Sequence, residues 1–165
     1  MNKIECVFSP SRRYRYVWKT RTINREDGRL CAFIGLNCST ADENGPDNTV
    51  RICLNHATRW GFEHFVMLNL FAFRATDPKV MKAALDPIGP YNDYWIGHYV
   101  GRADLIVTAW GNDGAYLNRD EQVIKLLRKS ACIDAWPPLC LAKTKAGHPH
   151  HPLYLKADLK PVPLD

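Results

Sequence analysis

The residues of this sequence best placed for binding or catalysis are two side-chain amides, Asn37 and Asn69, and one imidazole, His151. Asn37 directly follows one apolar run, and Asn69 ends a second. A strand that is buried on both faces offers little structural reason for an amide such as that of Asn69. His151 lies in a polar segment after a further apolar run. The carboxyl ends of parallel strands meet at one edge of a sheet, where loops present such groups to a crevice. We therefore expect these three side chains to line one pocket.

Each of these residues also has a purely structural explanation. An Asn at a strand end is often a turn or cap residue. His151 follows His148 and His150, and such a cluster is also compatible with a metal site or with a plain loop.

Four apolar runs predict the core strands, and each ends in a polar or small residue. Apolar residues at helical spacing predict helices over about residues 48–60, 92–101 and 118–129. The alternation of strand and helix predicts a three-layer α/β/α fold with a central, mostly parallel four-stranded sheet, preceded by an N-terminal antiparallel β-hairpin. The four runs are Cys31–Leu36, Phe65–Asn69, Leu105–Gly111 and Leu139–Ala142.

Length and composition predict a single globular α/β domain. The chain has 165 residues, 46% of them hydrophobic and 24% charged. We divide it into a basic hairpin (1–29), a core (30–155) and an irregular C-terminal strap (156–165). No apolar run approaches the roughly 18 residues of a membrane span, and the first residues do not resemble a signal peptide. These features favour a cytoplasmic protein with no membrane partner.

The six cysteines do not suggest a metal or a cofactor. They include no C-x-x-C pair and match no zinc or iron–sulfur spacing, so we expect neither. Cys38 lies in the loop after Asn37, but its neighbours Ser39 and Thr40 are not bases that could activate a thiol nucleophile.

The net charge of +5 is concentrated near the N-terminus. Six cations and no carboxylate lie between Arg12 and Arg25. Within this run RYRYVW alternates with period two, which predicts a strand with Tyr14, Tyr16 and Trp18 on one face. Such a surface could bind nucleic acid. Alternatively, the aromatic rings pack on the core and the cations form a solvated edge. The proposed nucleic-acid contacts are Arg13, Arg15 and Lys19.

The order of motifs at the strand ends resembles the uracil-DNA glycosylase superfamily. That superfamily has a G-x-[DN]-P type loop, then L-L-N, L-W-G and H-P-x, and this chain has GLN (35–37), MLN (67–69), AWG (109–111) and HPL (151–153). Over about residues 29–155 it also resembles a family of small bacterial and phage proteins of unassigned function that share LNPSTAD, NLFAYRATDP, AWG and HPLYL. The resemblance implies the superfamily's fold and the cleavage of an N-glycosidic bond.

The resemblance also implies roles for the polar residues. Asn37 would position the attacking water, Asn69 would hydrogen-bond the edge of the base, and His151 would donate to the leaving base. An amide is a poor general base, so the implied mechanism is dissociative. The remaining substrate-binding candidates are Gly35, Leu36, Cys38, Ser39, Phe71, Arg74, Trp110, Gly111, Pro152, Leu153 and Tyr154.

Among these candidates, Leu36 and Cys38 would act through backbone N–H groups, Phe71 or Phe73 would stack on the base, and Trp110 would pack beneath the site.

Two residues depart from the motifs. Cys38 stands where both families have proline, and Leu153 replaces the serine that grips a DNA phosphate in many glycosylases. Leu153 or Tyr154 would instead be an apolar wedge that fills the stack when a nucleotide is flipped out, or part of the core.

Three functions are compatible with the sequence. The first is a glycosylase-like enzyme that acts on a uracil-like or modified base in DNA. The second is a hydrolase or transferase of free nucleotides or nucleosides, and the third is a non-catalytic binder of bases or nucleic acid. The sequence leaves the oligomeric state open.

Overall fold

The computed structural model describes residues 3–23 and 27–164, where seven strands form a single sheet. Residues 1, 2, 24–26 and 165, which include Arg25 of the basic run, lie outside the described residues. The strand order is β1-β2-β4-β3-β5-β6-β7. The strands are β1 (Ile4–Phe8), β2 (Arg15–Arg21), β3 (Leu30–Asn37), β4 (His64–Phe71), β5 (Leu105–Ala109), β6 (Leu139–Cys140) and β7 (Val162–Pro163).

The four predicted core strands are β3 to β6, and they are parallel to one another. The predicted four-stranded sheet is too small, because the N-terminal hairpin continues the sheet instead of preceding it. Its strand β2 pairs antiparallel with β4. The prediction that the C-terminal strap is irregular is also incomplete, since the strap contains β7, which pairs antiparallel with β6. Both additions cover sheet edges that would otherwise expose unpaired backbone groups.

Helices cover both faces of the sheet. Helix α1 (Asn48–Arg59) begins after Asp47, whose Oδ1 accepts a hydrogen bond from the Val50 N–H at 2.9 Å. Its buried residues pack with the odd-numbered residues of β3. The even-numbered residues of β3 pack with helices on the opposite face. Those helices are α2 (Pro78–Ala83), α3 (Asn92–Val100) and α4 (Arg119–Ser130).

The described chain is therefore an α/β protein with a mixed, partly parallel sheet between two helical layers. Within the described residues, no helix is long and apolar enough to cross a membrane.

Candidate functional site

The candidate site lies at the carboxyl edge of the sheet, which we define as the edge where β3, β4, β5 and β6 end. In the register of β3 and β4, Gly35 is opposite Asn69 and Asn37 is opposite Phe71. A Cβ at Gly35 would come within 3.0 Å of Asn69 Nδ2, so the Asn69 amide lies over Gly35 on the face covered by α1. Asn37 is two residues further along β3 and belongs to the same face.

The Asn69 amide is held by a buried arginine. Asn69 is only 3% exposed, and its Oδ1 accepts a hydrogen bond from Arg15 Nη2 at 3.2 Å. Arg15 Nη1 donates to the Ala41 carbonyl at 2.9 Å, whereas its Nε is buried without a hydrogen-bond partner among the described residues. Arg15 itself is 1% exposed, and no described carboxylate lies within 4.0 Å of it. A buried cation without a counter-ion is costly, which makes this residue a candidate for function.

An irregular strand register turns Arg15 inward, so the prediction that it lies on an exposed basic surface is wrong. Val17 is opposite Val7 of β1, but Arg15 is opposite Phe8, so β2 has one more residue than β1 over this interval. Such an irregularity breaks the alternation of side chains. Tyr16 and Trp18 consequently pack on opposite faces of the sheet, contrary to the predicted single aromatic face.

The two other proposed nucleic-acid contacts do lie at the surface. Arg13 is exposed, and the half-exposed Lys19 forms an ion pair with Glu5 at 3.0 Å.

The Asn37 side chain is half-buried and anchors the loop that follows β4. Its Nδ2 donates to the carbonyls of Ala75 at 2.7 Å and Cys38 at 3.2 Å. Its Oδ1 accepts no hydrogen bond from the part of the chain that the structure describes. The amide therefore has a structural role and still keeps an acceptor that could orient a water molecule.

His151 is half-buried and close to the end of β5. Its Nδ1 accepts a hydrogen bond from the Leu153 N–H at 3.2 Å, which leaves the proton of the neutral ring on Nε2. Burial and the neighbouring His150 lower the pKa of His151, although the Asp47 carboxylate opposes this shift. A Cβ built on Gly111 would lie 3.8 Å from the His151 Cβ, so the segment after β5 runs close to His151. His151 is therefore suited to donate a hydrogen bond as a neutral imidazole.

Asp47 interacts both with the loop that holds Arg15 and with His151. Its Oδ2 accepts a hydrogen bond from the Ala41 N–H at 3.2 Å, and the Ala41 carbonyl accepts from Arg15. The same carboxylate acts electrostatically on His151. Neither Asp47 nor Ala41 is among the site residues that the sequence predicts. The one available signal for Arg15 was a cation between two aromatic residues of a strand.

Several predicted substrate contacts are part of the core instead. Phe71 is fully buried on the face of α3 and α4, with its ring centroid 5.9 Å from that of Tyr116, so it cannot stack on a bound base. Leu70, Phe71 and Ala72 all pack on this face because β4 loses its alternation after Asn69. Leu36 and Trp110 are also buried on this face.

The loop candidates differ in their surroundings. Cys38 is buried, its thiol donates to the Ala72 carbonyl at 3.0 Å, and burial raises its pKa, which opposes a nucleophilic role. Ser39 and Thr76 hydrogen-bond through their hydroxyl groups at 3.1 Å. Arg74 Nη1 donates to the Arg12 carbonyl at 3.2 Å, and its Nε is buried and donates to no acceptor in residues 3–23 and 27–164.

In the last motif, Pro152 is buried, Leu153 is half-buried and Tyr154 is fully exposed.

Two clefts formed by the described residues lie elsewhere in the molecule. One, of about 770 Å³, lies at the amino end of β3 and β4, and one of about 370 Å³ lies beside Trp110 and Trp136. Asn37, Asn69 and His151 line neither cleft, so the predicted pocket is not one of these two. No group of three or more His, Cys, Asp or Glu side chains suited to a metal ion occurs among the described residues.

Comparison with known proteins places the chain in a family without assigning an activity. No curated protein and no solved structure matches it. None of these comparisons returns a uracil-DNA glycosylase, so that resemblance rests on the motifs alone. A family model described as "Protein of unknown function (DUF1643)" matches residues 15–153, which include Arg15, Asn37, Asn69 and His151. The chain therefore belongs to the DUF1643 family.

Proposed function

We propose that this protein hydrolyses the N-glycosidic bond of a uracil-like or modified base in DNA, with the base bound at the carboxyl edge. The observation that carries the proposal is the buried pair of Arg15 and Asn69. A cation without a counter-ion, beside an amide that it orients, is suited to a ligand that becomes negatively charged.

The orientation of the Asn69 amide favours a base with a carbonyl edge. Because Oδ1 faces the Arg15 guanidinium, the Nδ2 group is the one left for a ligand. Nδ2 is a donor and would bind a carbonyl oxygen of a uracil-like ring. The exocyclic amine of cytosine would oppose it with a second donor, which is the basis of discrimination.

The other residues would complete the reaction. The bond between the sugar C1′ and the base nitrogen breaks, and the base leaves with the bonding electrons as an anion. The Arg15 charge, acting through Asn69, and the Nε2–H of His151 would stabilise that anion. A water molecule oriented by Asn37 Oδ1 would then bond to C1′, and the proton it releases would neutralise the base. A dissociative reaction of this kind needs no strong general base.

Burial of the site favours free nucleotides or nucleosides as a second candidate substrate. Arg15 and Asn69 are 1% and 3% exposed, so a small ligand would reach them more readily than a duplex. The replacement of the phosphate-gripping serine by Leu153 also supports this alternative.

The experiment compares base release from oligonucleotides and from mononucleotides. Purified protein is incubated with oligonucleotides that contain uracil or hydroxymethyluracil and with the matching nucleotides. Free base is measured by chromatography, and abasic sites are cleaved with alkali. The variants are Asn37→Ala and Asn69→Ala, and Asn55→Ala is the matched control because Asn55 is an exposed amide on α1.

The outcomes separate the candidate functions. Strand breaks that disappear in both site variants and persist in Asn55→Ala would support the proposal. Release from mononucleotides alone would support the second candidate. Binding without release from any substrate would identify a non-catalytic binder and overturn the proposal.

A further inference from the structure

A basic cleft lies at the edge of the sheet opposite the candidate site. Its volume of about 770 Å³ is within the usual range of about 300–1,000 Å³ for ligand pockets. The lining includes the first residues of β3 and β4, Leu30 and His64, which places the cleft at the amino ends of these parallel strands. The proposed base-binding function does not use this surface.

The lining of the cleft carries an excess of positive charge. Four cationic side chains and one carboxylate, that of Glu5, contribute to it. Glu5 is paired with Lys19 at 3.0 Å, and this hydrogen bond lowers the pKa of Glu5. Lys3, Arg21 and Arg102 remain as further cations around the cleft. Such a lining is complementary to a chain of phosphates.

A row of aromatic rings on α3 continues from the cleft. Tyr99 lines the cleft, and the Lys19 ammonium lies 5.9 Å from its ring centroid. The rings of Trp95 and Tyr99 are stacked, with centroids 6.2 Å apart, and His98 lies 5.0 Å from Tyr99. Tyr94 extends the row at 5.2 Å from Trp95 and is 62% exposed. The other three rings are half-exposed.

We propose that the basic cleft and the aromatic row of α3 together bind single-stranded nucleic acid. The phosphates would lie along Lys3, Arg21 and Arg102, and the bases would stack on Tyr99 and the rings beyond it. This combination of a cationic groove with a stacking platform is the usual one for single strands. The inference is independent of the proposed hydrolase activity, because the two sites lie at opposite edges of the sheet.

The charge of the cleft argues against a protein partner, and the aromatic row argues against duplex DNA. Charged residues are depleted at the centre of protein interfaces, whereas four cationic side chains line this cleft. The bases of a duplex are already stacked on one another and cannot stack on Tyr94 or Tyr99. A single strand satisfies both features.

The test measures binding of a fluorescein-labelled oligothymidylate by fluorescence anisotropy across a range of salt concentrations. In the variant Arg21→Glu/Arg102→Glu we expect at least a tenfold loss of affinity. The slope of log K against log salt should become shallower by about 1.4, since each phosphate contact in a single strand contributes about 0.7. The control, Lys156→Glu/Lys160→Glu, changes the net charge equally with two exposed lysines outside the cleft.

Stacking is tested separately with Tyr94→Ala, an exposed change that should preserve the fold. We expect about a tenfold loss of affinity and an unchanged salt slope, because a ring is lost and no phosphate contact is removed. The milder variant Arg21→Gln/Arg102→Gln serves if the charge reversal fails to fold.

Absence of oligothymidylate binding by the unmodified protein would overturn the inference, as would an equal loss in the control and cleft variants. A concentration-dependent mass in sedimentation that the cleft variant abolishes would show a protein interface instead. Base release that survives in the cleft variants would leave the proposed hydrolase intact while this inference is tested.

Discussion

Replacement of Arg15 by methionine tests whether the buried cation serves function or stability. Methionine has a similar length and no charge, so it fills the space of the arginine stem. The change removes the two hydrogen bonds from the guanidinium to Ala41 and Asn69. It also removes the charge of a residue that is 1% exposed, together with an Nε group that has no acceptor in the described part of the chain.

The opposing contributions nearly cancel. Two hydrogen bonds from a charged donor contribute about 1.5–3 kcal/mol each. Removal of the buried charge recovers several kcal/mol, and removal of the unpaired Nε recovers about 1–3 kcal/mol. We therefore expect Arg15→Met to change the free energy of unfolding by less than about 2 kcal/mol. Asn69→Ala should cost about 3 kcal/mol or more, because it leaves the Arg15 cation buried with fewer partners.

The assay is urea unfolding followed by tryptophan fluorescence, for the two single variants and the double variant. The double variant should cost less than the sum of the single variants, by about 1 kcal/mol or more, because the cation that made the Asn69 loss costly is absent. Equal m-values among the variants would indicate that the unfolding transition is unchanged.

Ligand binding tests whether Arg15 also serves function. Saturating uracil or uridine monophosphate should raise the melting temperature of the unmodified protein and leave that of Arg15→Met unchanged. A loss above about 4 kcal/mol in Arg15→Met, together with a nearly neutral Asn69→Ala, would refute the reasoning, because Arg15 would then be a structural residue.

Three further predictions concern single positions. Gly35→Ala places a Cβ 2.6 Å from the Met67 Cε, at the flexible end of that side chain, and 3.0 Å from Asn69 Nδ2, so it should displace the amide and reduce base release at least tenfold, as measured by chromatography. Gly45→Ala, which meets nothing within 4 Å, should leave the rate unchanged. Burial lowers the pKa of His56 in the folded state, so as the pH falls below 6.5 the unfolded state binds the proton first and the free energy of unfolding decreases. Urea titrations at pH 7 and pH 5 should therefore show a smaller decrease in His56→Leu than in the unmodified protein. An identical decrease would contradict this. Iodoacetamide at pH 8 should modify the exposed Cys132 rapidly and the buried thiols only after unfolding, as followed by mass spectrometry. Equally fast modification of the buried thiols would contradict the described packing.

Local patterns were sufficient to predict the parallel core of this protein. The runs ending near Asn37, Asn69 and Gly111 correspond to β3, β4 and β5, and the three predicted helices correspond to α1, α3 and α4. The shared face of Asn69 and Gly35 follows from these strands being parallel neighbours. These features depend on residues close in sequence, where apolar periodicity and turn residues carry the information.

The surroundings of the candidate site depended on contacts between distant parts of the chain. Arg15 was predicted at the surface and is buried against Asn69, and Phe71 was predicted at the pocket and is in the core. The hairpin and residues 162–163 became strands of the main sheet for the same reason. A sequence pattern specifies the period of a strand. Which face a residue occupies is set by the register with the neighbouring strand, and here one additional residue of β2 opposite β1 decides it.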